Sequence, residues 1–166
     1  MLSLAKGTFT VEMTPQAEPD TADGVSLGRM SLGKRFEGDL VANGNGDMLT
    51  ARTPIKGSAG YVAIERVTGT LQGRSGSFVF QHSGTMDQEG QQLSITVVPG
   101  SGTGALAGIS GALKINITEG KHFYEFEYSL PLCGLKQCRP TLRCTRPAMA
   151  GFASLRRRVN SNVGRH

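Results

Sequence analysis

Apolar and polar side chains alternate at period two along most of this chain, a pattern typical of β-strands that bury one face. The clearest case lies between residues 60 and 86, where two such runs are joined by a glycine-rich turn. In the second run Phe78, Phe80, His82 and Met86 share one face, and mostly polar residues share the other. The pattern predicts a hairpin whose apolar face carries a histidine.

Similar runs recur along the chain and bring the predicted total to about eight strands. Besides the hairpin they cover residues 6–13, 27–40, 47–53, 93–97, 113–117 and 122–130. No ten-residue window before Pro131 has helical periodicity. Residues 15–24 are predicted to form a loop, and the run Asn43-Gly44-Asn45-Gly46 predicts a hairpin turn. The chain is therefore expected to be all-β.

The net positive charge of the protein comes from its C-terminal end. Residues 1–131 contain ten basic and thirteen acidic side chains, a formal charge of −3, whereas residues 132–166 contain eight basic and no acidic ones, a charge of +8. We predict a β domain over residues 1–131 and a disordered basic tail over residues 132–166. The tail is either a native appendage or read-through or frame-shifted coding sequence.

The placement of the arginines, glycines, histidines and cysteines argues against several classes of function. Arg156, Arg157 and Arg158 could contact phosphates or a membrane surface by charge, but a solvated extension is the plainer interpretation, so no specific nucleic-acid or membrane partner is predicted. The glycines at 102, 104 and 108 precede a strand pattern and not a helix, which argues against a nucleotide site. The histidines and cysteines lack zinc-ligand spacing, so neither a metal nor a cofactor is predicted.

Cysteine usage predicts the compartment. The three cysteines, an odd number, all lie after Pro131, and the N-terminal residues do not resemble a secretory signal. No apolar run has the length of a transmembrane helix. These features predict a cytoplasmic protein.

An internal repeat indicates the direction in which His82 points. Residues 68–80 match residues 103–115 at a constant offset of 35 positions, with the shared pattern T-G-x-L-x-G-x-S-G. Each copy is expected to close one strand, turn on glycines and open the next strand. His82 then corresponds to Ile117, which we expect to be a core residue, so the histidine is predicted to face the interior.

Four motifs carry a family resemblance. They are RMSLGKRFEGDL, GSAGYVAIERVTGTLQGRSGSFVFQHSGTM, LSITVVPGSGTGALAGISGALKI and GKHFYEFEYSLP, and they occur in this order. Together they resemble a bacterial family of small proteins classed as a domain of unknown function, similar in fold to allene oxide cyclase and dirigent proteins. The resemblance covers about residues 5–131 and implies a single closed barrel of eight antiparallel strands.

The interior of such a barrel is filled by side chains or holds one small ligand, so inward polar groups are candidate site residues. Glu65 precedes the predicted turn and lies near the level of His82, so the two could form an acid–base pair. Two alternatives remain open: His82 is a hydrogen-bonded core residue, or Val62 and Ile64 face inward and leave Glu65 and Arg66 in a bulge or in solvent. The remaining candidates for ligand contact are Tyr61, Phe80 and Tyr124.

Three functions are compatible with these features. The first is a module that binds a small apolar or amphipathic molecule in the barrel through Tyr61, Glu65, Phe80, His82 and Tyr124. The second, by analogy with allene oxide cyclase, is an isomerase or cyclase that uses Glu65 and His82. The sequence lacks a specific catalytic signature, which argues against an enzyme. The third is a structural protein with a filled barrel. A homo-oligomer is also compatible with the sequence.

Overall fold

The computed structural model describes residues 2–131, and these form nine β-strands. The predicted basic tail, with its three cysteines, lies outside the described residues. The strands are β1 (Leu2–Pro15), β2 (Asp20–Ala22), β3 (Val25–Gly38), β4 (Leu40–Arg52), β5 (Ala59–Leu71), β6 (Arg74–Met86), β7 (Gln91–Val97), β8 (Ser110–Thr118) and β9 (Lys121–Ser129). Within residues 2–131 no helix is long or apolar enough to cross a membrane.

Eight of the strands close into an antiparallel barrel. Their order is β1-β9-β8-β7-β6-β5-β4-β3, and β1 pairs with β3 from Gly7↔Gly38 to Pro15↔Met30 to complete the ring. The short β2 pairs only with the start of β3 and lies in the segment predicted as a loop. The predicted closed eight-stranded barrel is thus confirmed, with one additional strand at its margin.

The hairpin turn predicted at Asn43-Gly44-Asn45-Gly46 is wrong, because these residues lie inside β4. The chain reverses instead at Gly38, whose φ of +105° is a conformation that favours glycine. Asn43 and Asn45 face solvent, whereas Gly44 is buried on the inner face. Asparagine and glycine here reflect the two faces of a strand and not a turn.

One end of the barrel is filled and closed. Its interior is packed with aromatic and aliphatic side chains, among them Phe36, Leu40, Leu71, Phe78, Phe80, Phe126 and Tyr128. The ring centroids of Phe78 and Phe80 are 4.9 Å apart and those of Phe80 and Phe126 5.2 Å apart, which is aromatic packing distance. The segment between β7 and β8 covers this end and buries Leu106 and Ile109. A ligand therefore has no space here.

The second copy of the internal repeat adopts a different structure from the first. Residues 68–80 form the end of β5, a turn and the start of β6, as predicted. The corresponding segment from Thr103 onward is instead a loop with one 3₁₀ turn, Gly104–Leu106, which leads into β8. Thr103 Oγ1 accepts a hydrogen bond of 3.0 Å from the Ser77 backbone N–H, which holds the loop against β6. The prediction that this copy closes a strand is wrong.

The ladder between β7 and β8 is short. The one paired position recorded between these two strands is Thr96↔Ala112, near the filled end. By contrast, β5 and β6 pair along their full length, from Ala59↔Met86 to Leu71↔Arg74. The barrel therefore has a seam between β7 and β8, which are paired only near the filled end.

We expect the seam to be visible in amide hydrogen exchange. Backbone amides that lack ladder partners open without breaking cooperative structure and exchange faster than paired ones. Amides at residues 91–95 and 113–117 that point toward the seam should therefore exchange faster than those between β5 and β6. Equal protection of the two regions, measured by NMR, would contradict a short β7–β8 ladder.

Candidate functional site

The barrel end opposite the filled one contains an open cavity of about 780 Å³. Its walls are largely apolar and include four methionines, namely Met13, Met30, Met48 and Met86. Residues from both sides of the β7–β8 seam, Leu93 and Ile115 among them, also line it. The cavity ends where the packed aromatic residues begin, and the polar side chains Lys34 and His82 line it at that level.

A buried cluster of three charged or titratable side chains lies at the floor of this cavity. Glu65 on β5 is fully buried and His82 on β6 is 3% exposed. Because Ala63 pairs with His82 and Glu65 with Phe80, the glutamate and histidine are diagonal neighbours on the inner face. The His82 Nε2 to Glu65 Oε2 distance is 2.9 Å, so the imidazole N–H donates to the carboxylate.

Lys34 is the third member of the cluster and arrives from β3. Its ammonium donates to Glu65 Oε2 at 2.8 Å, and its side chain is 7% exposed. Lys34 pairs with Gly44 on β4, and Gly44 pairs with Val67 on β5, so the ion pair crosses above β4. The ammonium also lies 5.3 Å from the ring centroid of Phe9, a cation–π distance.

Glycine on β4 makes room for this arrangement. A Cβ on Gly44 would overlap the Glu65 carboxylate, and a Cβ on Gly46 would overlap the β5 backbone at Ile64. Ala42 continues the same inner face with another small side chain. Gly44 thus leaves space in the barrel for the Glu65 side chain, and Gly46 lets the backbones of β4 and β5 approach closely.

The electrostatics of the cluster keep Glu65 ionised. Burial alone would raise the pKa of its carboxyl, but the hydrogen bond from His82 and the charge and hydrogen bond of Lys34 outweigh burial, so the pKa lies below the ordinary value of 4.5. Glu65 Oε1 has no hydrogen-bond partner among the described residues. A buried carboxylate with one oxygen unpaired is expensive, and a buried ion pair is weak evidence for stability, which points to a functional role for the cluster.

The lowered pKa of Glu65 predicts a loss of stability in acid. A carboxyl whose folded-state pKa is depressed contributes stability that is fully present above its unfolded value, about 4.5, and is lost as the pH falls through the folded value. The free energy of unfolding, measured with urea at a series of pH values, should therefore fall below about pH 4.5. The Glu65→Gln variant should be less stable at neutral pH but should lose less stability on acidification.

The control variant is Glu125→Gln. Its carboxyl is exposed, and a hydrogen bond from Lys6 lowers the pKa of that carboxyl as well. An unchanged acid limb in Glu65→Gln would contradict the assignment.

The structure separates the predicted site residues into two groups. Tyr61 and His82 line the cavity, and Glu65 lies directly behind His82. Phe80 and Tyr124 are packed in the core away from the cavity. The Tyr124 hydroxyl accepts a hydrogen bond of 2.9 Å from the Leu40 backbone N–H. The alternative in which Val62 and Ile64 face inward is wrong, because both are 53% exposed.

The repeat predicted the direction of His82 correctly, but from a premise that is partly wrong. Ile117 is not a core residue: it lines the mouth of the cavity and is 61% exposed. Sequence analysis also missed Lys34. Its period-two phase with Met30, Leu32 and Phe36 is the signal that places it inside.

Burial also acts on Tyr61, a polar residue of the cavity wall. Desolvation raises the pKa of its phenol above the ordinary 10.0, so the hydroxyl stays protonated and can donate a hydrogen bond. Within residues 2–131 no group of three or more His, Cys, Asp or Glu side chains is arranged to hold a metal ion. The side chains of Tyr61 and Lys34 can donate hydrogen bonds into the cavity, and His82 can transfer a proton.

The domain that holds this site corresponds to a known family model. That model, described as protein of unknown function (DUF3224), matches residues 5–128. The chain belongs to the DUF3224 family. The expected membership of a bacterial family of unknown function is thereby confirmed.

A solved DUF3224 structure supports the fold. The crystal structure of a DUF3224 protein of unknown function from Shewanella oneidensis MR-1 is 48% identical in sequence, with a TM-score of 0.75. The match covers 79% of this chain and 99% of the other. No curated protein matches the chain.

Proposed function

We propose that this DUF3224 domain binds a small amphipathic molecule in the open half of its barrel. The observation that carries the proposal is a cavity of about 780 Å³ with apolar walls and a polar, hydrogen-bonding floor. Ligand sites are typically concave, mostly apolar and provided with a few convergent polar groups. The half-open barrel argues against a filled structural protein. The cytoplasmic location and the homo-oligomer stay predictions from the sequence.

The cavity walls suit a ligand with an apolar body. Methionine side chains are flexible and polarisable, so they adapt to ligands of different shapes. Tyr61 on the wall and Lys34 and His82 at the floor can orient one polar group of the ligand, while Thr50, Gln91 and Asn116 add polar atoms elsewhere in the lining. Phe80 and Tyr124 are not part of the proposed contact surface, because neither lines the cavity.

The proposal is tested with N-phenyl-1-naphthylamine, a neutral dye that fluoresces in apolar surroundings. The protein should give saturable fluorescence, and Ala59→Trp, which places an indole at the cavity wall, should weaken dye binding by at least about tenfold. The matched control is Val41→Trp, at a position that is 61% exposed on the outer surface. Equal dye binding by the two variants would show that the dye does not occupy the cavity.

A second candidate function is supported by the geometry of the acid–base pair. The His82 imidazole lines the cavity and is held by the Glu65 carboxylate at 2.9 Å, which is how an enzyme orients a histidine for proton transfer. An isomerase of this kind would move a proton between two atoms of its substrate through His82. Glu65 would act as a positioning residue.

Deuterium incorporation distinguishes the two functions. A ligand that co-purifies with the protein is identified by native mass spectrometry and incubated with the protein in D₂O. An isomerase should introduce deuterium at carbon, and His82→Gln should abolish the exchange while the ligand still binds. A ligand recovered with unchanged mass from the unmodified protein would indicate binding alone.

A further inference from the structure

We infer that the bound molecule is an acidic amphiphile whose anionic group, a carboxylate or a similar oxyanion, contacts Lys34 and His82 at the cavity floor. This inference rests on the proposed function and names its ligand class. It is carried by the sign of the charged groups around the cavity, by the position of Glu65 and by the hydrogen-bonding character of the floor.

The charged side chains that line the cavity are all basic. They are Lys34, Arg52 and Lys114, the histidines His82 and His122 line it as well, and no aspartate or glutamate among residues 2–131 does. The nearest buried acid, Glu65, balances Lys34 within the cluster. A cavity with this lining attracts an anion and disfavours a cation.

The floor offers the Lys34 ammonium as a donor, whereas the acceptor atoms of Glu65 are not accessible from the cavity. Glu65 Oε2 already accepts from both Lys34 and His82, and the carboxylate does not line the cavity. A lysine ammonium has three donors, and only one of those of Lys34 is directed to Glu65. Charge-assisted bonds from an ammonium or an imidazolium to an oxyanion are roughly twice as strong as neutral ones. An acid group is therefore the polar group that suits this floor best.

The depth of the cluster specifies the orientation of the ligand. Lys34 is 7% exposed in its side chain and lies close to the packed aromatic core, whereas the methionine-lined walls extend from it toward the mouth. An amphiphile bound with its acid group at the floor places its apolar body against those walls. The reverse orientation would place the acid group near Arg52 and Lys114 at the rim.

The test compares dodecanoate with dodecan-1-ol, two probes with the same apolar chain and different head groups. Each displaces N-phenyl-1-naphthylamine from the full-length protein below its aggregation concentration. We expect dodecanoate to bind at least about tenfold more tightly than the alcohol. Equal affinities would overturn the inference and leave the proposed function intact. If neither probe displaces the dye or binds in calorimetry, the proposed function fails as well.

Paired variants locate the acid group. Lys34→Met/Glu65→Gln removes both charges of the buried pair, and we expect the preference for dodecanoate to disappear while the affinity for dodecan-1-ol is kept. Lys6→Met/Glu125→Gln makes the same changes in an exposed pair at 2.6 Å that does not line the cavity, and it should keep the preference. A preference that survives in the buried variant would overturn the floor assignment.

Salt dependence supplies a test that does not depend on the folding of a variant. Buried charges are screened little by salt, whereas exposed ones are screened strongly. With the unmodified protein, the preference for dodecanoate should persist at about 0.5 M NaCl. A preference that vanishes under these conditions would assign it to Arg52 and Lys114 at the rim and contradict an acid group at the floor.

Discussion

Replacing Glu65 with alanine should lower the free energy of unfolding by about 3–5 kcal/mol, the range expected when one partner of a buried ion pair is removed. The substitution leaves the Lys34 ammonium in a site where its side chain is 7% exposed, without the carboxylate it donates to at 2.8 Å. It also leaves the His82 N–H without its acceptor. Urea denaturation at neutral pH measures the change.

Two comparisons make this result specific to the buried cluster. Glu125→Ala removes an exposed carboxylate that Lys6 contacts at 2.6 Å, and the urea midpoint should stay close to that of the unmodified protein. The triple variant Lys34→Met/Glu65→Leu/His82→Leu removes every charge at once and should recover most or all of the lost stability. If Glu65→Ala is no more harmful than Glu125→Ala, the carboxylate does not compensate a buried ammonium.

Truncation of Phe126 should also destabilise the protein by about 3–5 kcal/mol, because it leaves a cavity in the filled half of the barrel. Phe126 is fully buried, and its ring centroid lies 5.2 Å from that of Phe80 and 5.7 Å from that of Phe78. No neighbouring side chain can fill the space without breaking this aromatic packing. Urea denaturation of Phe126→Ala provides the measurement.

The matched variant is Met30→Ala, in the open half. Met30 is partly exposed and borders a cavity that already exists, so its truncation should cost about 1 kcal/mol or less. Dye binding should change in the opposite sense, with a larger effect of Met30→Ala than of Phe126→Ala. Similar losses of stability in the two variants would contradict a barrel with one filled and one open end.

The sequence predicted the inner and outer faces of the strands well, because period two is a local property of the chain. The shared inner face of Glu65 and His82 was one of the alternatives that the sequence left open, and the structure shows this arrangement. Ring closure followed from the family resemblance. The pairing of β1 with β3 could not be derived locally, since Gly7 and Gly38 meet only after the chain has passed round the barrel. The interaction of Lys34 with Glu65 depends on the same long-range register.

Two of the errors have a physical origin in glycine. Gly44 and Gly46 were interpreted as turn residues because glycine tolerates positive φ, but here they lie inside a strand, where Gly44 leaves room for the Glu65 carboxylate and Gly46 for the β5 backbone. The glycines after Pro99 belong to a loop that closes one end of the barrel and not to a strand end. Local patterns do not distinguish glycine required for its backbone from glycine required for its size.

The seam between β7 and β8 allows the diameter of the open end to change. In a barrel with complete ladders, strand number and stagger determine the diameter, and any widening breaks hydrogen bonds. Here the two strands are tied at Thr96 and Ala112, next to the filled end, so their far ends can separate about that point with no ladder bond lost. Amides along the seam that exchange faster in the ligand-free protein than in the ligand-bound protein would report this movement. We expect the domain to accept ligands of different width at nearly equal cost, with selectivity resting on the head group at the floor.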